Sequence, residues 1–338
     1  MSTHARTLIS GIALVAAAGL ALTGCTAGPS PEGETKGGET VTLIVHNSFP
    51  NDEFAAAASA ATGYNVEVVA AGDGGELASQ LVLTQNAPLA DAFFGVDNVY
   101  VSRLFDADVI EGGEAGAKAV TQSATCINID PAWFAAKGIA EPSSYEDLAD
   151  EKYRGLTVLL DPSTSSTGAS FLIGTVAKFG ESGFADYWSK LAANDARIEQ
   201  GWTEAYNGQF TQGGGDGTFP IVLSYSSSPA WTLSEDGTSS STKALLDTCS
   251  SQIEYAGVLQ NASNQAGAQA VVDYLLSTEF QNTIADTMYV YPTNTEAAVP
   301  EEWSEFAPMP SAPNDLSPAE IGKGRDTWLK NWSAATGW

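Results

Sequence analysis

The chain has 338 residues, is 43% hydrophobic and 9% aromatic, and carries a formal net charge of −27. That length and apolar content suffice for a globular body of two lobes. So large an acidic excess excludes a nucleic-acid binder, which needs Lys/Arg patches against phosphate; it suits a soluble exported protein or one with a cationic ligand.

Arg6 precedes an apolar run from Leu8 to Leu22, 15 residues long and short of the roughly 20 that a spanning helix needs. A basic start, a short apolar stretch and a small-residue exit mark a secretion signal. The exit, Leu22-Thr23-Gly24-Cys25, resembles the lipobox of bacterial lipoproteins. It implies that residues 1–25 are a signal peptide, that Cys25 is lipidated, and that the protein is exported and lipid-anchored to the outer face of the cell membrane. Thr26 to Thr40 holds Gly, Pro, Ser, Thr and Glu without a large apolar residue, and is expected to be a flexible tether.

From Val41 the pattern alternates. Strands are expected over Val41–Val45, Asn65–Ala70 and Ala90–Val96, with helices over Asp52–Ala61 and Glu76–Thr84 and a turn at Asp73-Gly74-Gly75. Further strands are expected over Thr125–Ile129, Leu156–Leu160, Pro220–Leu223 and Ile253–Leu259. Helices are expected over Pro131–Lys137, Tyr145–Ala149, Ala169–Phe179, Trp202–Phe210, Asn264–Leu276, Glu279–Thr287 and Pro318–Ala335, with a surface wrap over Pro300–Pro318. Strand–helix alternation at this spacing predicts an α/β fold with a largely parallel sheet. Crossings near Ile127–Pro131 and Val258–Asn261 divide it into residues 41–128 plus 259–338 as one lobe and 129–258 as the other. Such hinges place a ligand in the cleft between lobes.

Two cysteines remain beyond Cys25. Cys126 and Cys249 in an exported domain suggest a disulfide. No CxxC occurs, and His46 is the one histidine beyond the signal segment, so no metal site is expected.

Three loops carry ligand chemistry. Asp161-Pro162-Ser163-Thr164-Ser165-Ser166-Thr167-Gly168 leads from a strand into a helix. One cap needs one hydroxyl, whereas five lie within Ser163–Thr167. Unpaired N–H groups of a helix start, with hydroxyls beside them, suit a phosphate or a polar hydroxyl. Ser224-Tyr225-Ser226-Ser227-Ser228-Pro229-Ala230-Trp231 couples hydroxyls with aromatics that can stack on a heterocycle or attract a cation. Trp202 and Tyr206 stand four apart and fit either core or site. Tyr289 and Tyr291 would share a face if extended. Asp97 either holds ligand at a strand end or caps the next helix.

These motifs resemble the thiamine-binding proteins of ABC importers, within the two-lobed type II periplasmic-binding-protein fold. The resemblance covers most of Val41 to Trp332. It rests on Asp161-Pro162-Ser163-Thr164-Ser165, Gly201-Trp202-Thr203-Glu204-Ala205-Tyr206, Leu223-Ser224-Tyr225 with Ser228-Pro229-Ala230, and Tyr291-Pro292. It implies a ligand site at Asp73, Gly74, Ser165, Ser166, Trp202, Tyr225, Ser226, Ser227 and Ser228. Trp231 and Tyr289 would flank a pyrimidine ring. The implied ligand is thiamine, a thiamine phosphate or a related pyrimidine, passed by a monomeric, cofactor-free, non-enzymatic protein to a membrane permease. His46 stands where the family has tyrosine, and Trp231 and Tyr289 exchange one aromatic type for another.

Two other readings compete. A protein of the same fold could take ferric ion, a polyamine or an oxyanion, although Val290 separates the two tyrosines that a ferric site would want adjacent. Thiamine-cleaving enzymes share the fold and use a cysteine nucleophile; Cys126 is the candidate, but the sequence names no group to activate it.

Overall fold

The computed structural model describes residues 38–338. The secretion segment, Cys25 and the tether up to residue 37 lie outside the described residues.

Among the described residues nine strands form one sheet: β1 (Thr40–Val45), β2 (Asn65–Ala70), β3 (Ala92–Asp97), β4 (Lys118–Ile129), β5 (Thr157–Leu160), β6 (Arg197–Glu199), β7 (Ile221–Tyr225), β8 (Lys243–Val258) and β9 (Tyr291–Pro292). Their order is β2-β1-β3-β8-β4-β7-β5-β6, with β9 on β4. The strands pair in parallel at both ends, β2-β1-β3 and β7-β5-β6, and the antiparallel pair β8 and β4 joins them. All six residues of β3 and all four of β5 are buried, as expected where helices cover both faces. The α/β expectation holds, but the joining strands are far longer than expected: β4 has 12 residues and β8 has 16. Gln122, Ser123, Ser251 and Gln252, polar residues outside the expected strands, pair across the middle of the sheet.

Local chemistry sets most helix starts. Asp73 caps the helix Gly74–Leu83 in a capping box with Glu76, so Gly74 and Gly75 are its first turn and not a preceding bend. Ser165 caps Ser166–Phe179, Asn264 caps Gln265–Leu276, and Ser317 with Glu320 caps Pro318–Thr336. The segment Trp202–Phe210, expected as an α-helix, carries a π-helical turn at Glu204–Gln209. The expected helix Glu279–Thr287 is two short ones, Thr278–Gln281 and Ile284–Met288. The Pro300–Pro318 wrap contains a further turn of helix at Trp303–Phe306.

Among the described residues, two large apolar clusters fill most of the body. One packs Phe49, Phe54, Val271, Tyr274 and Phe280 beside β1 and β3; the larger gathers Phe134, Phe171, Trp188 and Trp332. The closing helix Pro318–Thr336 straps the molecule. Its Arg325 donates to the Val99 carbonyl at 3.0 Å and to Ser102 at 3.1 Å. Trp332 lies edge-on to Trp188 at 5.9 Å. Cys126 and Cys249 form a disulfide that joins β4 to β8, with Cα atoms 4.2 Å apart. It sits where the β4–β8 register shifts between Thr125 and Ile127.

Candidate functional site

The loops that follow β2 and β5 meet directly. Gly75 and Glu76 donate their N–H groups to the Thr164 carbonyl at 2.8 and 3.2 Å, and the Tyr100 hydroxyl donates to the Pro162 carbonyl. This approach requires the two glycines. A Cβ on Gly74 would lie 1.9 Å from Ser166 Oγ, and one on Gly75 would lie 2.7 Å from the Thr164 oxygen. Asp73 ties in a third loop: its Oδ2 accepts the Trp202 N–H at 3.1 Å.

Beside this junction a cavity of about 220 Å³ opens near the carboxyl ends of β1, β3 and β7, where ligands bind in α/β sheets. Asp73, Ser166, Trp202, Tyr225, Ser228, Trp231 and Tyr289, all expected from sequence, line it. Of the other expected residues, Gly74 gives the close approach to Ser166. Ser165 is fully buried, its hydroxyl accepting the Gly168 N–H at 3.3 Å. Ser226 is buried with its hydroxyl toward Met309 Sδ at 3.9 Å, and Ser227 donates to the Tyr289 carbonyl. These four shape the site from behind its wall.

Two aromatic walls face the cavity. Trp202 and Tyr206 stack with ring centroids 4.9 Å apart and planes 10° apart, so these two serve core and site at once. The Trp202 indole N–H donates to Ser224 Oγ at 2.8 Å, which lies 2.7 Å from Ser228 Oγ. Trp231 and Tyr289 form the other wall. Their rings touch edge to face, 4.8 Å apart at 88°. The slot expected between them for a heterocycle is therefore closed, and they act as one corner. Tyr289 is not extended either. It ends the helix Ile284–Met288 in the left-handed region at φ 53°, which breaks the shared face expected with Tyr291. The Tyr291 hydroxyl instead donates to the Ala307 carbonyl at 2.6 Å.

His46, Gln252 and Glu254, not among the residues expected from sequence, also line the cavity. The alternation Gln252-Ile253-Glu254 inside a β-rich run was the signal that could have found two of them. Four lining residues also carry a buried polar atom with no hydrogen-bond partner: His46 Nε2, Ser166 Oγ, Tyr206 Oη and Gln252 Oε1. Buried polar groups are nearly always satisfied, so these four unpaired groups are available to a polar ligand or to water in the cavity.

Charge narrows the ligand further. The lining residues include the carboxylates of Asp73 and Glu254 and no Lys or Arg. Asp97, two residues beyond the lining Gly95, is fully buried. It caps the next turn, accepting N–H groups from Val99 at 3.0 Å and Tyr100 at 3.1 Å. Burial first, then the nearby Glu254 and Asp73 carboxylates, push it up to about 7 against the pull of those N–H groups. Negative groups beside aromatic faces favour a flat cation or a ligand rich in N–H donors.

The description "bacterial extracellular solute-binding protein" fits residues 111–315. The thiamine-binding periplasmic protein of Salmonella typhimurium is 25% identical over 311 residues, covering 87% of this chain and 93% of that one. Its namesake in Brucella melitensis is 28% identical over 284 residues, covering 80% and 83%. Among solved structures, a periplasmic thiamin binding protein superposes with a TM-score of 0.78 at 23% identity, covering 91% of this chain and 99% of that one. Iron-bound HitA from Pseudomonas aeruginosa reaches 0.69 at 21%, covering 88% and 99%. The fold is thus the two-lobed periplasmic-binding-protein fold. With more than half of its length matched by one family, the chain belongs to the bacterial extracellular solute-binding proteins.

Proposed function

We propose that this protein is the extracytoplasmic substrate-binding component of an ABC importer, and that its cavity captures thiamine, a thiamine phosphate or a related pyrimidine. The observation that carries the reading is the cavity itself: two carboxylates, no lining Lys or Arg, and five Trp or Tyr side chains. Thiamine joins a cationic ring to an aminopyrimidine, which is the chemistry such walls attract. The relatives named for thiamine binding support it.

The mechanism is capture without chemistry. The lobes, 41–128 plus 259–338 and 129–258, close on the ligand, and a membrane permease recognises the closed monomer. The contacts from Gly75 and Glu76 to Thr164, and from Asp73 to Trp202, supply the latch. Cys126, the candidate nucleophile of an enzymatic reading, is bonded to Cys249 and fully buried, which favours binding over catalysis. A ferric site gains little support, since the Tyr291 hydroxyl is held by Ala307 away from the cavity.

Calorimetry on ligand-stripped protein tests the reading. Thiamine is expected to bind with micromolar or tighter affinity. No heat and no shift in melting temperature with thiamine or its phosphates would discard it. Trp231, 55% exposed at the cavity rim, and Tyr289 should each cost about 1–3 kcal/mol of binding when changed to Ala. Unchanged affinity in both variants would remove that corner from the site.

The lipid anchor at Cys25 belongs to the same proposal, with the segment up to residue 40 as tether. Fatty-acid labelling of cells should mark the wild type and not Cys25→Ala; equal labelling would refute the anchor.

A further inference from the structure

Glu254 and Gln252 alternate on β8 and so face the same side of the sheet. Both are buried, Gln252 at 1% and Glu254 at 8% exposure, and both line the cavity. Thr121, paired with Glu254 across the β4–β8 ladder, donates its hydroxyl to Oε2 at 2.6 Å. That fixes the carboxylate and leaves Oε1 toward His46 Nε2 at 3.4 Å, close but without hydrogen-bond geometry.

His46 is held in one tautomer. Its Nδ1 accepts the Ser48 N–H at 3.2 Å, so the hydrogen of the neutral ring sits on Nε2. The ring has room only because residue 95 is glycine: a Cβ there would lie 2.2 Å from His46 Cδ2. The Oε1 of Gln252 has no partner. One corner of the cavity therefore presents one N–H donor, from His46, and two acceptors, Glu254 Oε1 and Gln252 Oε1.

The geometry points to a subsite, formed by His46, Gln252 and Glu254, that reads an amidine-like edge: a ring nitrogen accepting from His46 Nε2–H beside an exocyclic amine donating to the two oxygens. An aminopyrimidine carries this edge. A pyrimidinone does not, because its carbonyl would face Glu254. The inference rests on the thiamine reading and deepens it. It places the pyrimidine end here and leaves the polar tail to the Asp73–Ser166–Trp202 side.

The test is calorimetry with thiamine, with oxythiamine, whose pyrimidine bears a carbonyl in place of the amine, and with thiamine phosphate. Wild-type protein is expected to prefer thiamine over oxythiamine by roughly tenfold or more. Glu254→Gln should shrink that preference to roughly threefold or less while leaving the ratio of thiamine to thiamine phosphate unchanged. Gln252→Met, which keeps the volume and removes the acceptor, should shrink it also and serves if Glu254→Gln does not fold. A wild type without the preference, or variants that retain it in full, would overturn the subsite. If wild-type protein binds neither thiamine nor its phosphate, the thiamine reading fails and the subsite is judged with fragments. In that case 4-amino-2-methylpyrimidine should quench tryptophan fluorescence and 2-methylpyrimidin-4-one should not, with the difference lost in the variants. An equal response to both fragments, or none, would overturn it.

Discussion

Replacing both Cys126 and Cys249 with Ala should lower the free energy of unfolding by about 4–5 kcal/mol, the chain-entropy cost released when a bridge spanning 123 residues is removed. The location argues for the upper part of that range. Both cysteines are fully buried. The bridge also spans a weak point: β8 pairs Ser250 with Thr125 and then Leu245 with Ile127, so several residues of β8 are unpaired beside it. Local bonds such as Ile127 N–H to Thr248 Oγ1 at 3.0 Å support the bulge but do not close a long loop. Urea titration of the double variant measures the effect, and the double change avoids leaving a free buried thiol. A loss below about 1 kcal/mol would show that the ladder, and not the crosslink, holds β4 to β8.

The second large effect is a pH dependence set by Asp97. Its carboxyl titrates at about 7 in the folded protein, against 3.8 for the unperturbed group. Between those values the folded state keeps a proton that the unfolded chain releases, so stability falls as pH rises through this window and levels off above it. The full drop is about 4 kcal/mol, from the difference between 3.8 and about 7. Asp97→Asn keeps an oxygen to accept the Val99 and Tyr100 N–H groups and carries no charge. The variant should match wild type near pH 4 and exceed it near pH 8, with the gap opening between. Chemical denaturation at both pH values decides it. A gap that is equal at both, or absent at pH 8, would mean that Asp97 ionises freely in the folded protein.

Much of the site was legible because it is built from local signals. The run Asp161–Gly168 combines a strand exit, a cap and a crowd of hydroxyls, and the structure uses Ser165 as the cap while Ser166 lines the cavity. Asp73-Gly74-Gly75 was legible as a turn with a permissive backbone. What it does with that backbone was not, because the need for glycine comes from Ser166 and Thr164, some 90 residues away in sequence. Trp231 and Tyr289 were legible as aromatic site residues, but their edge-to-face contact depends on where Ser227 holds the Tyr289 carbonyl.

Local patterns suffice for the order and kind of most elements. Strands Asn65–Ala70 and Thr157–Leu160 and helix Pro131–Lys137 are written in apolar period, caps and proline, which act over a few residues. The sequence also carries the acidic excess and the two cysteines, Cys126 and Cys249, that pair. How far β4 and β8 run depends on long-range pairing, since their polar residues are strand only because partners across the sheet satisfy them. The tertiary structure alone brought His46, Gln252 and Glu254 to one corner. A hydrogen-bonding edge made by a loop and a strand some 200 residues apart has no period and no motif; it exists only after the sheet has put its members side by side.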